Sequence, residues 1–585
     1  MFPAYSVEDI RRAEAALLRA EESEDQLMQV AASAVADVAR VMHAAHSPRL
    51  PSNGDVLILA GPGGNGGDGL YAGAALALRG LSVSALLVAD DGTAHPRALD
   101  TFRAAGGTVL SPDDNPRLAA LEHALIIDAI AGLGSARPLG PAAHDVMKAA
   151  AFTAQPILAI DMPTGIDADS GERAERYVTA DVTVTFGGLK TGQLVAPECG
   201  EILIADLSLP GTERGFGSIL AGACGTDFEP LGLFGYLPTI QAPFDWSLLT
   251  NTLPPAPGKD IFSDAPFCIV STRETYTSIK GVEPGLRDDK YTGGVTTVMA
   301  GSDTYPGAGV LAVAGAVRAT AAMVRAVSSQ PELVVQRFPE VVLHRSLVDA
   351  GRAQALVIGP GRGTDDAARK ELELALGQPV PIVVDADALT LLAEYADLRE
   401  LLAQRGTPAV LTPHAGEFAR LYDAVFGEAA GADDTVSLAQ RIRRLATQLG
   451  VVLVYKGRIT CVCSPDGFFV ASNAGTSFAA TPGSGDVLTG LIGAFVAQLH
   501  ADDLARAQSY SLYMEELPEF SVTDLDSARS SAVSAAVSKA VDVHAYAAAV
   551  AATTPDGMGP TSALRIAEAI PQAIAKINSA HPARR

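Results

Sequence analysis

The stretch Thr481-Pro-Gly-Ser-Gly-Asp-Val-Leu-Thr-Gly490 combines the residue types that phosphoryl chemistry needs. Gly483, Ser484 and Gly485 leave backbone N–H groups unobstructed at the start of an apolar run, Val487 to Leu499, that predicts a helix. A bare helix N-terminus attracts anions, because unpaired N–H groups and the helix dipole both face the ligand. Asp486 adds a carboxylate on the first turn, placed to take a proton from a hydroxyl that attacks phosphorus. The same residues would also make an ordinary Gly-Ser-Gly turn with Asp486 capping a helix. The rest of the chain must decide between the two.

A second set of reactive residues lies in the first half. Gly61-Pro-Gly-Gly-Asn-Gly-Gly-Asp-Gly69 offers Asn65 and Asp68 in a glycine loop. Asp128-Ala-Ile-Ala-Gly-Leu-Gly134, Asp161-Met-Pro-Thr-Gly-Ile-Asp167 and Phe186-Gly-Gly-Leu-Lys-Thr-Gly192 follow. Each segment comes directly after a short buried apolar run: Asp55 to Ala60, Ala124 to Asp128, Pro156 to Asp161 and Val182 to Phe186, with a further run at Val83 to Val88. Runs of this length alternating with helical segments predict a parallel doubly wound sheet, whose ligands bind at the carboxyl ends of the strands. Four polar strand ends can then share one pocket. Ser6-Val-Glu-Asp9 reads as a capping box opening one helix, and a second is predicted over about 26–43.

The second half repeats the logic. Strands are predicted at Gly294–Ala300, Ala355–Ile358, Pro381–Val384, Ala409–Thr412 and Val451–Tyr455, with a long Ala/Val helix over about 308–326. Their ends carry Gly301–Gly309, Gly359-Pro-Gly-Arg-Gly363, Asp385-Ala-Asp387, Pro413-His-Ala-Gly-Glu417 and Lys456–Thr460. Between the halves, 211–290 mixes strand-like scraps with Gly, Pro, exposed aromatics and the only tryptophan, Trp246, and Leu253-Pro-Pro-Ala-Pro-Gly258 reads as a linker. The expected division is 1–215, a linking segment 216–285, and 286–585.

At 585 residues, two domains are the natural division. A net charge of −24 argues against non-specific nucleic-acid binding and against an anionic membrane surface, so phosphate must be held by local N–H nests and single lysines. Five cysteines, odd in number and without metal-ligand spacing, fit reduced thiols in a cytoplasmic protein. Cys461 and Cys463 occupy alternate positions of one strand and face the same way. No signal peptide and no membrane span is expected. A homo-oligomer is the expected assembly.

The first 210 residues resemble the YjeF N-terminal family, the NAD(P)H-hydrate epimerases, on the glycine loop and the Asp128, Asp161 and Lys190 segments. The resemblance implies a Rossmann-like three-layer sandwich and contact of Gly64, Asn65, Gly66, Gly67 and Asp68, with Gly132, to a hydrated nicotinamide nucleotide. It also implies a potassium ion on Asn65, Asp128 and Thr164. Gly64 stands where the family usually has a first asparagine, and Thr164 where it more often has serine. Asp161 is the candidate acid/base that inverts the hydroxyl-bearing carbon, with Lys190 near the phosphates or the ring; alternatively Asp161 caps a turn before Pro163. Gly61, Gly63 and Gly66 also satisfy G-x-G-x-x-G, with Asp90 as a ribose-binding carboxylate, which would suit an NAD dehydrogenase but leaves Asn65, Asp68 and 161–167 without a task.

From about Lys290 onward the chain resembles the ribokinase-like superfamily and, within it, the YjeF C-terminal family of ADP- or ATP-dependent NAD(P)H-hydrate dehydratases. The motifs are Pro306-Gly-Ala308, Gly359–Gly363, Thr412–Glu417, Lys456-Gly457 and Gly483–Asp486. Pro482 replaces the usual glycine, and 505–540 reads as an acidic, Ser/Ala-rich insertion before a helix around His544. The resemblance implies that Lys456, Gly457, Arg458, Ile459 and Thr460, with Gly483, Ser484 and Gly485, hold ADP or ATP. Ala308, Gly363, His414 and Asp486 would face the hydrated substrate; alternatively His414 fills the core. Magnesium is expected with the nucleotide phosphates.

Phosphorylating the hydroxyl of a hydrated NADH makes a leaving group that the ring nitrogen lone pair can expel, so a kinase-type site can carry out a net dehydration. The two halves together imply repair of both epimers of hydrated NADH or NADPH. Two other readings stay open: a hydroxymethylpyrimidine-type kinase fused to an unrelated α/β domain, and a first domain that only binds a nucleotide or a partner.

Overall fold

The computed structural model describes residues 2–45, 54–89, 91–110, 122–133, 136–209, 216–223, 232–236, 244, 246–249, 267–271, 279, 284, 289–427, 436–511 and 522–580. Asp90, Gly134 and the Leu253–Gly258 stretch lie outside them. The chain divides into two compact units, Met1–Glu274 and Thr275–Arg585.

Strands of the first unit are β1 (Phe2–Tyr5), β2 (Gly54–Ala60), β3 (Val83–Leu87), β4 (Thr108–Leu110), β5 (His123–Ala129), β6 (Ile157–Ile160), β7 (Val182–Phe186), β8 (Leu189–Lys190), β9 (Glu201–Leu207), β10 (Gly232–Tyr236) and β11 (Phe267–Ser271). The main sheet has the order β11-β9-β7-β6-β5-β2-β3-β4. It is parallel except for β11, which pairs antiparallel with β9 at the edge. Val56, Leu57, Ile58, Leu59 and Ala60 of β2 are all fully buried, as the continuous apolar run of a strand covered on both faces requires. The helices Gln26–Ala45 and Gly64–Leu78 cover one face and Pro141–Thr153 the other, each with its own apolar cluster. This is a three-layer sandwich.

Strands β7, β6, β5 and β2 are immediate neighbours, so the four polar segments predicted at strand ends emerge side by side. Ser6 caps the helix Val7–Leu18 as its pattern predicts, accepting from Asp9 N–H at 3.1 Å. The stretch expected to link the halves contributes instead to the first unit. Strand β10 pairs with β1, β11 with β9, and Trp246 donates to Glu201 at 2.6 Å beside the buried Phe244.

In the second unit lie β12 (Thr296–Met299), β13 (Val324–Val327), β14 (Val342–His344), β15 (Ala355–Ile358), β16 (Ile382–Val384), β17 (Ala409–Leu411), β18 (Val452–Tyr455), β19 (Ile459–Cys463) and β20 (Phe469–Asn473). Their order is β14-β13-β12-β15-β16-β17-β18-β19-β20. The sheet is parallel as far as β18, and β19 and β20 turn back antiparallel.

One expectation is corrected here. The helix predicted over 308–326 ends at Val317, and Val324–Val327 is a buried parallel strand. Alanine and valine suit either state, and the parallel partners β12 and β14 decide. The 505–540 stretch is largely helix, since Ser484–Ser511 and Val522–Ala552 extend into it from both sides. Residues 512–521 lie outside the described part.

Candidate functional site

The first unit holds a cavity of about 620 Å³ lined by Glu14, Asn65, Asp68, Gly132, Asp161 and Thr164 among others. Asp161 follows β6 with φ +65°, and its N–H donates to Val184 O at 2.6 Å. A non-glycine residue in the left-handed region is strained, and here the turn delivers a buried carboxylate to the cavity. Its Oδ1 accepts from the ammonium of Lys190 and from Thr185 Oγ1 at 3.3 Å. Asp161 therefore forms an ion pair and does not merely cap the turn before Pro163.

Lys190, expected to reach the substrate's phosphates or ring, is fully buried instead. Its ammonium is spent on Asp161 and on Thr185 Oγ1 at 2.5 Å. A cation so placed fixes one carboxylate oxygen and leaves the other free. That free Oδ2 faces Gly132: a Cβ built there would lie 3.2 Å from it and 3.0 Å from Asn65 Oδ1. Gly132 thus lets backbone pass between the two side chains. At Gly64 a Cβ would meet only Met28 Cε at 3.9 Å, so the start of the helix Gly64–Leu78 is open.

Asp68 is raised well above the ordinary carboxyl range, by burial first and then by the charges of Asp161 and Glu14. Glu14 is raised too, by burial and by Asp161, against the opposing charges of Lys190 and Arg11. Sequence reading missed Glu14, which sits on an amphipathic helix 54 positions before Asp68 and carries no local signal. Asp128 is fully buried. Thr164 donates to it from N at 2.8 Å and from Oγ1 at 2.7 Å, yet burial raises it to about 6. Asn65 Nδ2 is buried without a hydrogen-bond partner.

In the second unit the polar groups again emerge from adjacent strand ends. Lys456, after β18, donates to Asp385 Oδ1 at 2.7 Å and stands 3.9 Å from Glu417. The other oxygen of Asp385 accepts from Thr489 Oγ1 at 2.5 Å. Asp387 accepts from the N–H of Gly363 at 2.8 Å, and Ala308 abuts Gly361 of the same loop. Between the two aspartates, Ala386 holds φ +50°, a strained conformation that lets consecutive strand-end carboxylates turn to separate partners.

Asp486 lies half-buried in the first turn of the helix Ser484–Ser511. Its carboxyl has no hydrogen-bond partner among the described residues and is raised to about 7, by burial and then by Asp385 against the charge of Lys456. It caps nothing. A Cβ at Gly485 would lie 3.4 Å from Lys456 Nζ, so the ammonium borders the anion-binding turn. Gly483 has φ +82° and no room for a Cβ, which would stand 2.3 Å from Leu311.

His414 is not core filler. It is exposed and caps the helix Ala415–Phe426, accepting from Gly416 N–H at 3.0 Å while Glu417 accepts from its own N–H at 2.8 Å. Lys456–Thr460 is not simply a strand-end loop. Gly457 and Arg458 make a tight hairpin, Ile459 begins β19 with its side chain buried, and Arg458 reaches Ser477 Oγ at 2.7 Å. Cys461 and Cys463 are buried thiols raised by burial and carry no reactive signature.

Fold and polar strand ends together define a two-unit α/β enzyme, a Rossmann-like three-layer sandwich followed by a ribokinase-like unit. A family model described as YjeF-related protein N-terminus matches residues 24–192, and one described as NAD(P)H-hydrate dehydratase matches 296–571. The chain is 40% identical over 605 residues to the bifunctional NAD(P)H-hydrate repair enzyme Nnr of Corynebacterium glutamicum, covering 99% of each. It is 38% identical over 494 residues to the same-named enzyme of Mycobacterium tuberculosis H37Rv, covering 84% of this chain and 89% of that one. A crystal structure of the ADP/ATP-dependent NAD(P)H-hydrate dehydratase of Bacillus subtilis, co-crystallised with ATP and magnesium, is 24% identical with a TM-score of 0.39, over 50% of this chain and 94% of that one. The chain belongs to the family of bifunctional NAD(P)H-hydrate repair enzymes.

Proposed function

We propose that this chain repairs hydrated NADH and NADPH, interconverting the R and S epimers in its first unit and dehydrating the S epimer in its second at the expense of ADP or ATP. The observation that carries the reading is Asp486: a carboxyl without a hydrogen-bond partner among the described residues, raised to about 7, on the first turn of a helix whose Gly485 borders the Lys456 ammonium. A base titrating near neutrality next to free N–H donors suits proton removal from a hydroxyl that attacks a phosphoryl group. Lys456 and the Gly483–Gly485 backbone would hold the nucleotide phosphates, with Gly457, Arg458, Thr460 and the Ile459 backbone beside it. Ala308, Gly363 and His414 would face the hydrated ring. Phosphate then leaves as the ring nitrogen lone pair forms an iminium, and loss of a proton from the neighbouring ring carbon, to solvent or the departing phosphate, restores the dihydropyridine.

In the first unit, Asp161 would serve as the acid/base for inverting the hydroxyl-bearing carbon, moving the hydroxyl proton through the oxygen that Lys190 and Thr185 leave free. The open helix start at Gly64–Asp68 and the backbone at Gly132 would hold the nucleotide. Potassium fits Asn65, Asp128 and Thr164. The set can offer three oxygens, from an amide, a carboxylate and a hydroxyl, and two of its members already meet at 2.7 Å. Bound there, the ion would supply fixed positive charge beside the buried Asp128. Magnesium would be held chiefly by the nucleotide phosphates. No helix among the described residues is long and apolar enough to cross a membrane, and the cytoplasm is the compartment proposed for this repair.

The test is recovery of the ultraviolet absorbance of the dihydronicotinamide from separate R and S hydrates, with magnesium and either nucleotide. Both should recover, and Asp161→Asn should block recovery from R alone. A stable phosphorylated product without recovery would favour a small-molecule kinase.

A further inference from the structure

His544 is buried on the helix Val522–Ala552, beyond the 505–540 stretch to which the sequence assigns no role. Its Nε2 stands 3.0 Å from the carbonyl oxygen of Ser484 and 3.0 Å from Ser484 Oγ, and Ser484 is buried as well. A carbonyl oxygen can only accept. Nε2 therefore carries the ring proton and donates to it, and the hydroxyl oxygen shares that N–H as a second acceptor. Burial keeps the imidazole neutral, pulling its pKa down to about 4.

Ser484 is the middle residue of the anion-binding turn. Its N–H donates to Thr481 O at 3.1 Å. Gly483 is seated against Leu311. The turn is thus held at Gly483 and Ser484, while the N–H groups of Gly485 and Asp486 keep no partner among the described residues. Of these restraints, the His544 bond comes from a helix distant in sequence. It reaches the back of the turn, away from the groups left free.

We infer that His544 is a positioning residue for the phosphoryl step: by holding Ser484 it sets the direction in which the Gly485 and Asp486 N–H groups and the Asp486 carboxyl face the substrate. It touches no reacting atom. A preorganised donor array acts only while its direction is kept, so a small rotation of the turn costs rate before it costs structure. The helix beyond the 505–540 stretch then has a task, the delivery of one neutral N–H donor.

This inference rests on the dehydratase reading of the Asp486 site, and the experiment separates the two. In the full chain, His544→Leu removes the donor at similar volume, and His544→Gln restores an N–H; His544→Met replaces the leucine variant if that does not fold. Dehydration kcat of His544→Leu should fall about 10- to 100-fold. Epimerisation by the same molecules should stay as it was, and His544→Gln should recover most of the loss. A histidine with a purely packing role would lower the thermal transition and leave kcat of the folded protein unchanged. The inference is overturned if folded His544→Leu keeps kcat within about twofold of the parent, or if His544→Gln is no better than His544→Leu. Should the parent not dehydrate the hydrates at all, the functional reading fails, and calorimetric titration with ATP and magnesium still decides on His544. Affinity lost in the leucine variant and regained with glutamine supports it, and equal affinity overturns it.

Discussion

The ammonium of Lys456 donates to Asp385 at 2.7 Å, and among the described residues it makes no bond to Asp486. The cation is neutralised by a carboxylate that Thr489 holds from its other side. Asp486 is left with burial and the like charge of Asp385, which together keep it protonated up to about pH 7. A base must be ionised to act, so dehydration should lose activity as pH falls below about 7, with an acidic limb in kcat/KM near that value. Asp385→Asn removes the like charge and releases Lys456. Both changes favour the Asp486 carboxylate, and the limb should move down by about one unit. A limb that does not move would show that another group sets it.

The Asp161–Lys190 pair is buried on both sides. Asp161→Asn should slow epimerisation by about 10²- to 10⁴-fold, read as R hydrate stranded while the S form is still consumed. Lys190→Met should do the same and also destabilise the first unit, because Asp161 would then sit uncompensated beside Asp68 and Glu14. A loss of about 3–5 kcal/mol in denaturant titration is expected.

Gly132→Ala places a Cβ 3.0 Å from Asn65 Oδ1 and 3.2 Å from Asp161 Oδ2. Both side chains must shift, so epimerisation should fall by about tenfold or more with dehydration intact. Normal epimerisation in this variant would mean that neither side chain needs its present position.

How much of this was legible from sequence depends on how local the signal is. Polar and glycine-rich segments ending buried apolar runs marked Asp161, Lys190, Asp385 and Lys456, and the fold pairs Asp161 with Lys190 in the first unit and Asp385 with Lys456 in the second. The short strands β4, β13 and β14 were missed, because three or four partly buried residues have no distinctive period. Glu14 and His544 were missed as site groups for a different reason. Each reaches its partner across a long stretch of chain, and their local patterns are those of ordinary helices. Sequence spacing does not reveal that the Lys190 ammonium is buried against Asp161.

Asp542 is buried with Oδ1 lacking a partner, and burial raises its pKa to about 7 against one hydrogen bond to Ser472. A carboxyl raised on folding contributes its stability fully below its unfolded value near 3.8, and that contribution is lost as pH rises through 7. The second unit should therefore melt lower at pH 8.5 than at pH 6, and Asp542→Asn should remove part of the difference, on the order of 1–1.5 kcal/mol. An unchanged pH dependence in the variant would assign the effect to other groups.

The most direct test of the central claim is a single progress curve of dihydronicotinamide absorbance, started by adding the full chain, magnesium and ADP or ATP to mixed epimers of hydrated NADH. The two-site account predicts a rise to completion, a rise that stalls with R hydrate remaining in Asp161→Asn, and no rise in Asp486→Ala. A stall in the parent would contradict the epimerase half. A rise in Asp486→Ala equal to that of the parent would contradict the assignment of the base.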